Sequence, residues 1–272
     1  MSVSAGSQSE SETLEHWRSP RTAWGDPDLQ GTWSYASLTP LQRPTNVEDR
    51  KFYTPEEAEA RNFAVTQDRP PRPGDVGAYN ALWFDRGTVS PDLRTSLIID
   101  PMDGLLPLKA ETRERIAAER TYRLDHPADS WLDRSNWDRC ITYHGVPPVS
   151  TGYNNTYQIF QAPGYVAVLV ENIHDVRIIP VDGRPTLDDD IRQWNGDSRG
   201  YWDGDALVVE TANFSAHSQH RFPSSANTIA VERFRRMSAD VVDYRFTITD
   251  PTLYTRPWTA HRMMPKLSDY VI

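Results

Sequence analysis

Residues 157–185 read YQIFQAPGYVAVLVENIHDVRIIPVDGRP, the most apolar part of a chain that is otherwise rich in charge. Apolar runs of strand length alternate here with the turn-forming groups APG and DGRP, which predicts a series of short β-strands. The polar group ENIHD interrupts the last of these runs. Because ionisable groups among buried strands are costly unless they are paired or used, this interruption predicts an ion-pair network or a functional site.

The strand pattern continues to the carboxyl-terminal part of the chain. After residue 153 the candidate strands are 156–161, 165–171, 176–181, 199–202, 206–211, 227–236 and 241–249, with tight turns between several of them. Before that point the sequence predicts strands at 31–35 and 94–100, a short helix at 54–63 and a longer, highly charged helix at 109–124. Short strands joined by tight turns indicate an antiparallel meander, closed as a barrel or folded as a sandwich.

The domain organisation follows from length and local composition. At 272 residues the chain can bury a sizeable core. We expect a flexible amino terminus at 1–20, which is rich in Ser and Glu, and a single domain over 21–272 that includes a loop or helix segment at about 105–150. The Pro-rich residues 67–75 predict a connecting loop.

Charge and composition exclude several classes of partner. With 38 acidic against 29 basic residues, the chain is not expected to bind nucleic acid non-specifically through the phosphate backbone. No apolar run approaches the roughly 20 residues of a membrane span, so we expect no membrane partner. The single cysteine, Cys140, excludes an internal disulfide, and the polar amino terminus predicts a cytoplasmic protein.

The polar interruption supplies the candidate catalytic residues His174, Glu171 and Arg177. A straight strand over 165–179 would place polar groups on both of its faces, whereas a turn at NIHD would display His174 at a rim. In either geometry His174 could act as acid or base with Glu171 or Asp175 fixing its tautomer, and Arg177 could hold a substrate oxygen. The alternative interpretation is a cross-strand ion pair between Glu171 and Arg177 beside an exposed turn histidine.

Rings and fixed charges elsewhere in the sequence could complete a pocket. The expected substrate-binding residues are Arg94, Tyr157, Trp131, Arg139, Trp202 and Asp175. The loop DSWLDRSNWDRC at 129–140 could equally form a surface network that pins the longer helix. His217 and His220 have a spacing that binds metal on a helix, but their neighbours favour a loop, so we expect neither a metal nor a cofactor.

Several blocks of the sequence resemble a large bacterial family whose members are usually labelled hypothetical proteins. The matching blocks are WGDPDLQGTWSYASLTPLQRP at 24–44, RTSLIIDPMDG at 94–104, DSWLDRSNWDRCI at 129–141, the stretch at 153–185 and QWNGDSRGYWDGDALVVETANF at 193–214. The resemblance covers most of the chain, and it implies no particular activity.

A second resemblance concerns the architecture. The triplet Gly31-Thr32-Trp33 on the first predicted strand resembles the GxW opening of lipocalins and other calycins. This resemblance implies a mainly β fold: an antiparallel calycin- or lipocalin-like β-barrel with an N-terminal extension and one or two peripheral helices. Small barrels of this kind can hold one apolar ligand in their mouths.

These features together lead to three functional hypotheses. The first is an enzyme without an organic cofactor that acts on a small apolar or aromatic molecule by acid/base proton transfer, as a lyase, dehydratase, isomerase or hydrolase. The second is a lipocalin-like binding protein for a hydrophobic small molecule, without catalysis. The third is an interaction role, with the aromatic surface forming the interface of a homo-oligomer.

Overall fold

Antiparallel β-strands dominate the computed structural model, which describes residues 17–68, 81–143, 145–270 and 272. The strands are β1 Gly31–Ser34, β2 Ile98–Asp100, β3 Thr156–Ala162, β4 Tyr165–Val170, β5 Val176–Pro180, β6 Asp197–Asp203, β7 Ala206–Ala212, β8 Ile229–Ser238, β9 Val241–Thr249 and β10 Trp258–Pro265. The helices are α1 Pro55–Ala64 and α2 Ala110–Asp125, with short 3₁₀ segments at Thr45–Val47, Ala81–Trp83 and Trp131–Asp133. The prediction of a mainly β fold with peripheral helices is confirmed.

The strands form two sheets. One has the order β1-β3-β4-β5, and the other has the order β2-β10-β9-β8-β7-β6, with neighbouring strands antiparallel throughout. Every strand that the sequence predicts is present, with shifted ends, but β10 was not predicted. The inward-facing residues of β10 are Trp258, Ala260, Arg262 and Met264. Because Arg262 is charged, the alternation of apolar and polar residues that indicates a strand is interrupted in the sequence.

The sheets approach each other at two edges without joining into one. Beyond β10, Trp33 and Lys266 form an isolated antiparallel bridge, and the Leu267 amide donates to the Thr32 carbonyl at 2.9 Å. At the other edge β5 lies beside β6, and a Cβ atom on Gly200 would lie 3.0 Å from Ile179. Among the described residues no closed barrel is formed, so the architecture is two antiparallel sheets.

The core lies between the inner faces of the sheets. Inward positions of β8 and β9 alternate with outward ones, and the row Val242, Tyr244, Phe246 and Ile248 is buried. Trp33 of the GxW triplet is fully buried, and its indole N–H donates to the Leu29 carbonyl at 2.9 Å. Each fully buried side chain of this size contributes about 1.5–3 kcal/mol, so this row and Trp33 stabilise both sheets together.

The helices lie outside this core. Thr54 and Glu57 form a capping box at the start of α1, which the sequence predicts as a short helix. Thr54 Oγ1 accepts from the Glu57 amide at 3.2 Å, and Glu57 accepts from the Thr54 amide at 2.9 Å. On α2, Thr112 is the buried residue, and its hydroxyl donates to the Leu253 carbonyl at 2.9 Å. None of the described helices combines the length and apolar character of a membrane span.

The predicted flexible amino terminus and the predicted connecting loop fall largely outside the described residues. Residues 1–16 of the predicted amino-terminal segment and residues 69–75 of the predicted connecting loop are not described. The single domain over 21–272 therefore stays a prediction from the sequence.

Candidate functional site

The connection between β4 and β5 is a turn formed by residues 171–174. Ile173 and His174 have positive φ angles of 65° and 57°, and the Val170 amide donates to the Asp175 carbonyl at 2.8 Å, closing the hairpin. Of the two geometries that the sequence allows, the turn at NIHD is therefore confirmed. His174 is exposed at this turn.

The turn separates the three residues expected to act together. The Glu171 carboxylate accepts a hydrogen bond from the Tyr270 hydroxyl, whereas Arg177 points into the interior and is 8% exposed. The alternative prediction of a cross-strand ion pair between Glu171 and Arg177 is wrong, because the guanidinium pairs with Glu232 of the other sheet. Three residues past the turn, strand alternation points Arg177 inward while its neighbours Val176 and Ile178 face out.

Arg177 belongs to a buried polar network that joins the two sheets. Its Nη1 lies 2.7 Å from Oε2 of Glu232 on β8, whose side chain is fully buried. The Tyr244 hydroxyl on β9 donates to the other Glu232 oxygen at 2.7 Å. Burial, and then the Glu232 charge, raise the pKa of Tyr244 well above its ordinary value, so the phenol keeps the proton that it donates.

A second buried guanidinium lies beside this network. Arg262 on β10 donates to the Tyr35 carbonyl at 2.6 Å and to the Pro148 carbonyl at 3.2 Å, and burial lowers its pKa. Tyr157 lies between these groups, with its ring centroid 4.9 Å from that of Tyr35. Burial also raises the pKa of Tyr157 well above its ordinary value, so this phenol stays neutral.

Sequence reasoning did not find Glu232 and Arg262. Each occupies an inward position in an alternating strand, at ERF and HRM. The sequence does contain a signal for both residues, because each is a charged residue at a position where the alternation of the strand predicts a buried apolar one.

A small cavity of about 20 Å³ lies beside Arg177. Its wall includes Tyr157, Asn172, Asp175 and Asn195. A water needs about 10–15 Å³ by this measure, so the cavity has room for one oxygen-sized group. It is therefore a subsite and not a complete ligand pocket.

An open cleft of about 520 Å³ adjoins this cavity. Thr142, Asp175, Arg177 and Asn195 line both spaces. The cleft adds apolar surface from Ile141, Val176, Ile178 and Trp194. A ligand with one polar end and an apolar body could therefore occupy both spaces.

Several polar atoms at the wall of the small cavity are buried without a hydrogen-bond partner in the described part of the chain. They are Nε and Nη2 of Arg177, Nδ2 of Asn172 and Oδ1 of Asn195. Leaving a buried donor unsatisfied costs about 1–3 kcal/mol, and such groups are rare in folded proteins. Their concentration at one cavity marks it as a site for a polar group.

Asp175 contributes a carboxyl group to the wall that both spaces share. It accepts a hydrogen bond from the Asn195 amide. Burial raises the pKa of this carboxyl, although the Val176 amide and the Arg177 charge act in the opposite direction. A carboxyl with a raised pKa can exchange a proton with a ligand at a pH closer to neutrality.

The structure places the other predicted binding residues at different distances from this wall. Arg139 lies 4.5 Å from the ring centroid of Trp131 and 5.9 Å from that of Trp194, so it reaches the edge of the cleft through Trp194. Trp131 itself is 57% exposed, and its ring contacts His217. Among the expected binding residues, Tyr157 and Asp175 are the ones brought to the cavity beside Arg177.

Arg94 and Trp202 line neither the small cavity nor the cleft. Arg94 donates to Asp92 at 2.8 Å and lies over the ring of Phe52, at the surface. Trp202 packs against the core cluster and does not line the cavity or the cleft. The structure therefore does not bring these two side chains to the candidate site.

The imidazoles of His217 and His220 lie in different surroundings, and His217 contacts the ring of Trp131. His220 is half-buried and its Nδ1 lies 2.7 Å from the Ser224 hydroxyl. The burial of its ring lowers its pKa to about 4, although a Val146 backbone hydrogen bond opposes this. Within the described ranges, no cluster of three or more His, Cys, Asp or Glu residues could hold a metal ion. Cys140 is exposed in a loop with a positive φ of 53°.

We compared the chain with protein-family models, with curated proteins and with solved structures. None of the three comparisons gave a match.

Proposed function

We propose that the protein is an enzyme that acts on a small apolar or aromatic molecule by acid/base proton transfer. In this proposal Asp175 exchanges the proton and Arg177 holds a substrate oxygen. One observation carries it: a half-buried carboxyl with a raised pKa lines the same cavity as a buried guanidinium that has unpaired donors. Lyases, dehydratases, isomerases and hydrolases all use such a pair of groups.

Asp175 takes the role that the sequence suggests for His174. His174 is exposed on the turn, whereas Asp175 lines both the cavity and the cleft. The low dielectric of the site strengthens the interaction of Arg177 with any negative charge that develops on a substrate oxygen. Tyr157, neutral because burial raises its pKa, forms part of the cavity wall.

The shape of the site supports a substrate with an apolar body. The cleft has apolar side chains at its walls, and its volume of about 520 Å³ lies in the range of small-molecule sites, which is about 300–1,000 Å³. A calycin-like closed barrel, membership of the bacterial family, a cytoplasmic location and a homo-oligomer stay predictions from the sequence.

A lipocalin-like binding protein is the alternative function. The unpaired donors of Arg177 and Asn172 favour it, because they require a polar ligand group but no chemistry. The two functions differ in one respect: the enzyme requires Asp175 to transfer a proton, and the binding protein does not.

A turnover screen tests the proposal. The wild-type chain is incubated with a panel of phenolic, terpenoid and ester-like compounds, with conversion followed by mass spectrometry and binding by thermal shift. We expect conversion of at least one compound, and Asp175→Asn should slow it roughly 10²–10⁴-fold with little change in binding.

His174→Ala is the matched control, since it removes an exposed titratable group one residue away and should leave conversion unchanged. Binding without any conversion would favour the lipocalin-like function. Unchanged conversion by Asp175→Asn would remove Asp175 from the mechanism.

A further inference from the structure

Unpaired donors outnumber unpaired acceptors at the wall of the cavity. Arg177 offers Nε and Nη2, and Asn172 offers Nδ2, against the single acceptor Oδ1 of Asn195. Both side chains that supply the donors are more than nine-tenths buried, at 8% and 6% exposure. A ligand group that accepts several hydrogen bonds therefore complements this wall better than one that donates them.

The charge of the surrounding interior points in the same direction. Arg177 is paired with the fully buried carboxylate of Glu232, and a second buried guanidinium, Arg262, lies near Tyr157 of the cavity wall. Arg262 donates its hydrogen bonds to backbone carbonyls, which carry no net charge. Arg262 thus adds positive charge near the cavity beyond the Arg177–Glu232 pair, and this charge would attract an anionic ligand group.

Burial opposes the charge of Arg177, but the Glu232 charge and the other neighbouring groups together outweigh it and raise the pKa of Arg177, so this guanidinium has a counter-charge. Burial raises the pKa of Tyr157 and Tyr244, which keeps both phenols neutral. Asp175 is bonded to Asn195, and burial favours the protonated form of its carboxyl. The unpaired donors of Arg177 and Asn172 are therefore the feature of this wall that an accepting ligand group would complement.

The size of the cavity selects among anions. A volume of about 20 Å³ admits one oxygen atom of a ligand but not a tetrahedral phosphate or sulfate group. Either a carboxylate or a phosphate could place one oxygen in the cavity with the rest of the molecule in the adjoining cleft, but a phosphate has more charged oxygens than a carboxylate to place against the apolar side chains of the cleft. Ile141, Val176 and Ile178 give that cleft apolar walls, which suit an aromatic or aliphatic body.

We infer that this site binds a small monocarboxylate, with a carboxylate oxygen held by Arg177 and Asn172 and the apolar body in the cleft. The inference rests on the site of the proposed function, since it names the class of substrate that this site takes. It concerns recognition and does not require turnover.

Matched ligand series test this inference by calorimetry on the full chain. Cinnamate, cinnamamide and cinnamyl alcohol share one aromatic body, and octanoate, octanamide and octanol share one aliphatic body. We expect the acid to bind roughly ten- to hundredfold more tightly than its amide or alcohol in at least one series, as hydrogen bonds to charged groups predict. Inorganic phosphate should not compete with the acid.

Two substitutions locate the binding. Asn172→Leu keeps the approximate shape of the side chain and removes one donor, and it should weaken binding of the acid but not of the alcohol. Arg177→Met alone would leave Glu232 unpaired and could unfold the chain, so the double variant R177M/E232Q is used, and it should abolish the preference for the acid. Arg236→Met is the control, because this buried arginine binds the carbonyls of Asp28, Ser238 and Ala239 and does not line the cavity.

The outcomes separate this inference from the proposed function. Equal or tighter binding of the amides and alcohols, or binding by no member of either series, would overturn the inference. If a neutral compound from the turnover panel is nevertheless converted in an Asp175-dependent way, the proposed function still stands. A preference for the acid without conversion of any compound would support the inference while contradicting the enzyme.

Discussion

At the scale of single residues, the Arg177–Glu232 contact is costly to disturb from either side. Both side chains are buried, at 7% and 0% exposure, and they join β5 of one sheet to β8 of the other. Removing one partner of such a pair leaves the other charge buried without compensation, which is more destabilising than losing both. The network that the site uses therefore also holds the sheets together.

We predict that Glu232→Gln lowers the free energy of unfolding by about 3–5 kcal/mol, because Arg177 keeps its charge in the interior. The double variant R177M/E232Q should lose less. Arg233→Met is the matched control on the next residue, since its ion pair with Asp203 is exposed and is worth about 0–1 kcal/mol. Urea unfolding measures all three, and an equal loss for Glu232→Gln and Arg233→Met would show that the buried pair has no special role.

At the scale of elements, Asp250 fixes the turn between β9 and β10. Its carboxylate accepts hydrogen bonds from the hydroxyls of Ser225 at 2.6 Å and Thr228 at 2.8 Å, and from the Thr252 amide at 3.0 Å. Burial opposes ionisation, but these hydrogen bonds lower the pKa of Asp250 overall. The ionised carboxylate thus ties the turn to the segment that precedes β8.

The sign of this shift gives a pH prediction. The pKa of Asp250 in the folded protein lies below its value of about 3.9 in the unfolded chain, so the ionised group stabilises the fold at higher pH, and this contribution is lost as pH falls through the folded pKa. Asp250→Asn should therefore cost about 1.5–3 kcal/mol near pH 7 and progressively less below about pH 4. Denaturant unfolding of both proteins across this range measures the difference, and a gap that stays constant with pH would contradict the assignment.

At the scale of the whole molecule, the contact of β5 with β6 decides how closely the two sheets approach. Gly200 lies at this contact, and a Cβ atom there would lie 2.9 Å from Val181 and 3.0 Å from Ile179. Because these neighbours are packed, a larger side chain cannot enter without displacing them. The absence of a side chain at this position thus permits the observed spacing.

We predict that Gly200→Ala destabilises the fold by about 1–3 kcal/mol and Gly200→Val by more, despite the preference of valine for strands. Thermal or urea unfolding measures the loss. Glu210→Ala, at an exposed position of the neighbouring strand β7, should stay within about 0.5 kcal/mol of wild type. A more stable Gly200→Val variant would contradict the close contact of the sheets.

The sequence by itself determined the local structure, because turns, caps and alternation depend on neighbouring residues. The APG and DGRP turns, the Thr54–Glu57 capping box and the strands around residues 157–185 all follow from such short-range rules. The same rules identified Arg177 and Asp175 as unusual residues in a strand-rich segment, together with the turn that carries His174. They did not give the partners of those residues.

Only the tertiary structure decided how distant segments meet. Glu232 and Arg262 come to Arg177 and Tyr157 from strands far along the chain, and Tyr270 rather than Arg177 binds Glu171. Alternation fixes which face a side chain occupies, but the packing of one sheet on the other selects its contacts across the core. For this reason the sequence shows that a charged group interrupts the strands, but only the structure shows that Arg177 is buried at a small cavity.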